Sequence, residues 1–149
     1  MLLRIDAHDP ATAPTLESCA RAVDDLARRG LMSMVEPFIC SRTDGRVVNH
    51  LTAPAVVRSA GVAAGLGTTS AYTWLKLPVV EDMASVLEAT TLPVLLLGGE
   101  ASADQDVQLA QWRKALASPS VRGMVVGRSL LYPPGGNVAA AVDATVEML

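Results

Sequence analysis

Apolar residues recur along this chain in two rhythms, short β-type runs and longer stretches of helical spacing, and the two take turns. Met1–Asp6 (MLLRID) reads as a strand, followed by an Asp-Ala-His-Asp-Pro loop. From Pro14 to Arg29, Leu16, Cys19, Ala20, Val23, Leu26 and Ala27 recur at the i, i+3, i+4, i+7 spacing of an amphipathic helix, which Gly30 ends. Leu31–Phe38 is a second strand, stopped by Pro37, and the polar segment from Cys40 to His50, with Asp44-Gly45 inside it, reads as loop. A helix then runs from Thr52, its N-cap, to Leu66, with Pro54 in the first turn and Gly67 closing it. Tyr72–Leu77 is a third strand that Pro78 closes, and Glu81–Ala89 is a short helix. Pro93–Leu97 reads as a fully buried strand ending in Gly98-Gly99. The helix Asp104–Ala117 is expected to pack through Val107, Leu109, Trp112 and Leu116, with Ser102 or Ala103 before it. Gly123–Val126 is the fifth strand, and after Pro133-Pro134-Gly135-Gly136 a last helix runs from Val138 to Leu149.

Five βα units with connections of this length predict an α/β fold with a parallel sheet. Two architectures accommodate them: a complete doubly wound domain of the flavodoxin type, and the last five units of a TIM (β/α)8 barrel, which takes about 250 residues in full. Met1 already lies inside a strand, and the last two strands end in glycines, both of which favour the barrel. The expectation is one partial barrel domain over residues 1–149, with no linker, charge block or internal repeat.

Composition narrows the function classes. The chain has 149 residues, 50% hydrophobic and 18% charged, with a formal net charge of −3, enough for one core. Its basic residues are scattered and aromatic content is 3%, so neither nucleic acid nor a membrane surface is expected as partner. No apolar run approaches the roughly 18 residues of a spanning helix, and MLLRIDAHDP lacks a signal peptide's apolar region. Cys19 and Cys40 form no C-x-x-C pair. A cytoplasmic protein is the default.

The chemistry concentrates at the strand ends. Asp6, Glu36, Lys76, Gly98-Gly99 and Gly127-Arg128 each lie at or near the C-terminal end of a parallel strand, the face on which a barrel assembles its active site. Parallel strands end in turns, and turns favour Asp and Gly. That explains Gly98-Gly99 and Asp6 but not Glu36 or Lys76, which sit inside apolar runs. Lys76 stands out further because the chain has two lysines against ten arginines. Alternation puts Trp74 and Lys76 on one face of the strand, and since both faces of a parallel sheet are normally covered, either face would desolvate the amine. A buried amine there suits a Schiff-base nucleophile; a lysine snorkelling into a loop fits the same position. The two glycine pairs follow the last two strands, the usual phosphate corner of such barrels, where backbone N–H groups approach an anion and Arg128 adds a positive charge. Asp6, His8, Asp9 and Glu36 lack the convergent spacing of metal ligands, so no metal and no cofactor is expected.

LKLP around Lys76, PVLLLGG and GMVVGRSLLYPP together resemble the class I aldolases of the deoxyribose-phosphate, archaeal-type fructose-bisphosphate and tagatose-bisphosphate superfamily. The nearest likeness is to an actinobacterial (β/α)8 subfamily, deoxyribose-phosphate aldolase-like and associated with inositol breakdown. The resemblance covers essentially the whole chain, as units four to eight. It implies Lys76 as the Schiff-base residue, Gly98, Gly99, Gly127 and Arg128 as the phosphate site, and Glu36 and Asp6 as carboxylates assisting proton transfer. The sequence departs from deoxyribose-phosphate aldolases in having no second lysine on the next strand, where Leu95–Leu97 is hydrocarbon. It also lacks units one to three.

The expected activity is therefore that of a lyase, a class I aldolase cleaving or forming a C–C bond in a phosphorylated sugar or a small aldehyde or ketone. For Lys76 to act as a nucleophile, an ionised Glu36 beside it would be unhelpful, so Glu36 is expected to be set back or protonated. The competing reading is a non-catalytic α/β fragment that associates through exposed sheet edges, as a homo-oligomer or with a complementing N-terminal half. A piece of a longer reading frame with no function of its own is a third.

Overall fold

A computed structural model describes residues 1–99 and 104–148. Its parallel strands are β1 (Leu2–Ile5), β2 (Ser33–Thr43), β4 (Thr73–Pro78), β5 (Val94–Leu97) and β6 (Val121–Val125), and a short antiparallel strand β3 (Arg46–Asn49) pairs with β2. The helices are α1 (Thr12–Arg28), α2 (Ala53–Ala64), α3 (Met83–Glu88), α4 (Gln105–Leu116), α5 (Arg128–Leu131) and α6 (Val138–Val146).

Strand order decides between the two architectures. The sheet runs β1-β2-β4-β5-β6, each parallel strand beside the next one in the chain. A doubly wound sheet reverses direction at a switch point, whereas a barrel adds every unit on the same side. The order never reverses, so the fold is a sequential parallel βα arc of barrel type. Its register runs from Leu2↔Glu36 across β1 and β2, through Val35↔Leu75 across β2 and β4, to Lys76↔Leu95 and Leu95↔Gly123.

The helix periodicity read from the sequence holds where the apolar stripe is wide. In α1 the side chains that turn inward are Leu16, Cys19, Ala20, Val23, Leu26 and Ala27. In α4 the inward stripe is Leu109, Trp112, Ala115 and Leu116, and Val107 falls off it and is exposed. Helix starts are fixed by Asp82, Asp104 and Asn137, whose side chains accept from the backbone N–H of Ser85, Val107 and Ala140. The cap of α4 is thus Asp104; Ser102 and Ala103 lie outside the described residues, as does Leu149. Thr52 stands at the N-cap of α2, but its side chain makes no capping bond.

The larger correction is around β2. Pro37 does not stop the strand, which continues to Thr43 and folds back as β3, so most of the expected Cys40–His50 loop is a β-hairpin. Glu36 donates its N–H to Met1 on the β1 side, so the next residue's missing N–H falls on the other side, beyond Val35, where pairing with β4 has ended. Thr43 pairs with Arg46, and the two residues between them, Asp44 and Gly45, have φ of 51° and 74°. Positive φ at both positions is the type I′ geometry that Asp-Gly favours.

One sheet face is covered. Leu3, Val35, Leu75, Leu77, Val94 and Leu96 pack with Val23, Val56, Ala60, Ala63 and Val86 from the helices into the main core. The alternate residues, Leu2, Met34, Glu36, Trp74, Lys76, Leu95, Leu97, Gly123 and Val125, form the opposite face, which is partly buried at its middle and exposed at Leu2 and Val125. Leu2 is 53% exposed and Val125 38%. Within the described residues the face that carries Lys76 is less fully covered than the helix face.

Candidate active site

Lys76 lies two-thirds of the way along β4, between Leu75 and Leu77, whose side chains are fully buried on the helix side. Alternation turns Lys76 the other way, onto the open face. Glu36 arrives beside it because Val35 pairs with Leu75, which brings the next residue of each strand into the next row. Glu36 Oε2 stands 3.0 Å from Lys76 Nζ, a charge-assisted hydrogen bond with side chains 24% and 17% exposed. Glu36 is therefore not set back, contrary to expectation. In the preceding row Met34 pairs with Trp74 and forms an apolar neighbour on the same face. The lysine does not snorkel away into a loop; its charge meets a carboxylate over the sheet.

Asp6 is placed differently. It is 8% exposed, its carboxylate accepts from the His8 N–H at 3.0 Å, and its backbone exchanges hydrogen bonds with the Thr12 hydroxyl. It lies four residues beyond Leu2, the partner of Glu36, or roughly 13 Å along the strand. These bonds make Asp6 the keystone of the β1–α1 loop, and no hydrogen bond joins it to the Lys76–Glu36 pair among the described residues.

The two glycine pairs are brought together, since Leu97 and Val125 are ladder partners at adjacent strand ends. Their four residues have different tasks. Gly98 donates its N–H to the Val125 carbonyl, and its own carbonyl accepts from Ser129 Oγ and Gln108 Nε2, each at 3.3 Å. A Cβ there would stand 2.6 Å from Val126 Cγ1. Gly98 is thus required by close packing of β5 on the turn after β6, and its N–H is committed to the sheet. Gly99, at φ 68°, faces open space. Gly127 is the exposed N-cap of α5, and Arg128 is exposed at its first position.

At the hairpin, Arg42 bridges to Asp9 of the β1–α1 loop at 3.2 Å. The Ala11 N–H and the Arg42 guanidinium together hold the Asp9 carboxyl below its ordinary value. Cys40 lies nearby and is buried; burial pushes its thiol up, and the charge of Asp6 pushes the same way, so it is no thiolate nucleophile at neutral pH. No group of three or more His, Cys, Asp and Glu side chains among the described residues is arranged to hold a metal.

The arrangement is an amine and a carboxylate on a barrel-type sheet, with a glycine corner two strands along. A family model described as Cgl0159-like matches residues 1–146. The chain belongs to the Cgl0159-like family. It is 52% identical to the crystal structure of Cgl0159 from Corynebacterium glutamicum (Brevibacterium flavum), with a TM-score of 0.94, covering 99% of this chain and 49% of that one. A structure of a Schiff base-forming fructose-1,6-bisphosphate aldolase matches at 22% identity and a TM-score of 0.75, over 99% of this chain and 56% of that one. An archaeal fructose-1,6-bisphosphate aldolase with its catalytic Lys bound to the carbinolamine intermediate matches at 22% identity and a TM-score of 0.72, with the same coverage. The low-identity matches show that this Cgl0159-like chain has the fold of those aldolases. The chain spans about half the length of these solved relatives. Among curated proteins none matches.

Sequence reasoning missed the Arg42–Asp9 bridge in this Cgl0159-like chain because it missed the hairpin that carries Arg42. The signal was present: Asp44-Gly45 is followed by Arg46-Val47-Val48, the strand-type continuation of a two-residue turn.

Proposed function

We propose that this chain carries the amine half of a class I aldolase site, acting in the cytoplasm on a phosphorylated sugar. The observation that carries the reading is Lys76 Nζ held at 3.0 Å from Glu36 Oε2 on the sheet face that a barrel turns toward its axis. Glu36 takes a proton from the ammonium, and the freed amine attacks the substrate carbonyl to give a carbinolamine. Loss of water, with a proton returned to the departing hydroxyl, leaves an iminium on Lys76. As a base removes the proton of the β-hydroxyl, the C–C bond breaks. Its electron pair enters the iminium, giving an enamine and a free aldehyde. Protonation and hydrolysis of the enamine release the second product and restore the amine.

In this reading Gly99, Gly127 and Arg128 hold the substrate phosphate, and Gly98, which a Cβ would crowd against Val126, shapes the corner. Asp6 serves by fixing the β1–α1 loop at the rim. The ladder partner of Lys76 is Leu95, so no second lysine stands across β5 to lower the amine's proton affinity. The resemblance of LKLP, PVLLLGG and GMVVGRSLLYPP to the deoxyribose-phosphate aldolase-like, inositol-associated subfamily is part of the same proposal.

Borohydride reduction in the presence of deoxyribose 5-phosphate or fructose 1,6-bisphosphate tests it. A substrate-sized mass adduct on the Lys76 peptide, lost in Lys76→Met, is the expected result. A folded chain that gives no adduct with any phosphorylated sugar offered leaves the non-catalytic reading.

A further inference from the structure

Among the described residues one buried side-chain oxygen lacks a hydrogen-bond partner, Oδ1 of Asn49 at the end of β3. A buried polar atom left unpaired costs free energy, which a partner brought by a ligand would recover. We propose that Asn49 is a substrate-binding residue whose carboxamide bonds a substrate hydroxyl remote from the carbonyl that Lys76 attacks. This rests on the aldolase reading and adds to it the kind of substrate, one that is hydroxylated along its chain.

The register puts Asn49 on the face of Lys76. Glu36 lies on that face, and alternation along β2 adds Phe38 and Cys40 to it. Both are buried, yet neither belongs to the main core on the helix side. Cys40 is the ladder partner of Asn49, and directly opposed residues of an antiparallel pair turn their side chains to the same face.

The side on which β3 pairs is fixed as well. The Glu36 N–H points to β1, so the Ile39 carbonyl, three residues on, points the other way, toward β4. The His50 N–H donates to that carbonyl at 2.9 Å. β3 therefore runs on the β4 side of β2, beyond the point where the β2–β4 ladder ends at Val35↔Leu75. Cys40 lies four residues past Glu36, roughly 13 Å along the strand, which sets Asn49 at the rim beyond the C-terminal end of β4. On the opposite face the His50 ring meets the Ser41 hydroxyl at 2.9 Å and pins this end of the hairpin. Asn49 is thus held on a rigid strand while its Oδ1 stays unpaired.

The group itself names its partner. A neutral carboxamide offers no charge to a phosphate. Turned either way, with Oδ1 or Nδ2 inward, it is answered by a hydroxyl, which both donates and accepts. Such a contact selects strongly, because a ligand without the hydroxyl leaves the carboxamide unpaired.

The test uses ligands that cannot form an imine. Ribitol 5-phosphate and pentyl phosphate carry the same anion on the same carbon chain, one with hydroxyls and one without. The 149-residue chain should bind the polyol tighter by about tenfold in calorimetry, and Asn49→Val should bring the two ligands level. Asn49→Val removes an unpaired oxygen rather than a bond, so its melting temperature without ligand should equal or exceed the parent's. Nuclear magnetic resonance gives a direct signal. The chain has two asparagines, Asn49 and Asn137, and the side-chain amide resonances lost in Asn49→Val belong to Asn49. They should shift with ribitol 5-phosphate and stay in place with pentyl phosphate. No polyol preference in the folded parent, a preference that Asn49→Val keeps, a marked drop in its melting temperature, or Asn49 resonances that do not move overturns the proposal. An adduct on Lys76 whose choice of sugar is unchanged in Asn49→Val leaves the aldolase reading standing and this one fallen. A polyol preference that depends on Asn49, with no adduct on Lys76, does the reverse.

Discussion

At the residue scale, the Lys76–Glu36 contact makes a sharper demand than either side chain alone. The carboxylate oxygen lies 3.0 Å from the amine nitrogen, within reach of a direct proton transfer. In the proposed mechanism Glu36 is the proton acceptor. Glu36→Gln keeps a hydrogen-bond acceptor beside the amine and removes the base. If Glu36 is the acceptor, the rate of borohydride-trappable adduct formation should drop by roughly 10²–10⁴-fold, while Lys76→Arg should abolish it. A Glu36→Gln variant that reacts as fast as the parent would limit Glu36 to a structural partner. Gly98 and Gly99 separate in the same way. At Gly98 a methyl group meets Val126 Cγ1 at 2.6 Å and Val126 Cα at 3.1 Å; Gly98→Ala should cost about 1–3 kcal/mol in urea unfolding. At Gly99 there is room but φ is 68°, so Gly99→Ala costs about 1–2 kcal/mol of backbone strain. Only the Gly99 variant leaves the packing of β5 on β6 unchanged. Adjacent glycines therefore differ in kind, which the sequence Gly-Gly cannot reveal.

At the element scale, wide periodic stripes were legible and termini were less so. The inward face of α1 was readable because six inward positions repeat over four turns, although the helix begins at Thr12 rather than Pro14. Val107 in α4 was misread because apolar character in a first turn does not by itself place a residue on the stripe. β2 was misread because Pro37 usually ends a strand, and only the register shows that its missing donor falls where the β4 ladder has stopped. The join between α1 and the loop after α2 could not have been read, since it spans 44 residues: Asp24 accepts from the Thr68 N–H at 2.7 Å and its hydroxyl at 3.0 Å. Those two bonds hold the Asp24 carboxyl below its ordinary value of 3.8. With a folded value lower than the unfolded one, this contribution to stability is complete above the ordinary value and is lost as pH falls through the lowered one. Asp82, bonded by the Ser85 hydroxyl and N–H, acts in the same direction. Asp24→Ala should therefore lower the melting temperature at pH 7, and the gap from the parent should shrink as pH is taken below 3.8, the ordinary value. A gap that stays constant down to acid denaturation would mean the carboxylate's charge plays no part. The hairpin offers a second check. Gly45→Ala puts a side chain at φ 74°, costing about 1–2 kcal/mol, and should loosen the Arg42–Asp9 bridge with it.

At the scale of the whole molecule, the parallel α/β class followed from the alternation of elements, and the barrel-type sequence of strands was one of two architectures it allowed. What the sequence could not show is how far the second face is covered, because burial of that face depends on what lies across from it rather than on the strand. An open arc also has no reason to be uniformly stable. Among the described residues β2, β4 and β5 have parallel neighbours on both sides, whereas β1 and β6 have one. Each unit therefore leans on its neighbours as in a solenoid, and opening should begin at the ends. Amide hydrogen exchange measured by mass spectrometry should find peptides of β4 (Thr73–Pro78) slower by about tenfold or more than those of β6 (Val121–Val125). Closure of the barrel removes the difference, because every strand then has two neighbours and no edge remains. Uniform protection across the five strands of the chain alone would mean that it unfolds as one unit, and that its edges are already covered in solution.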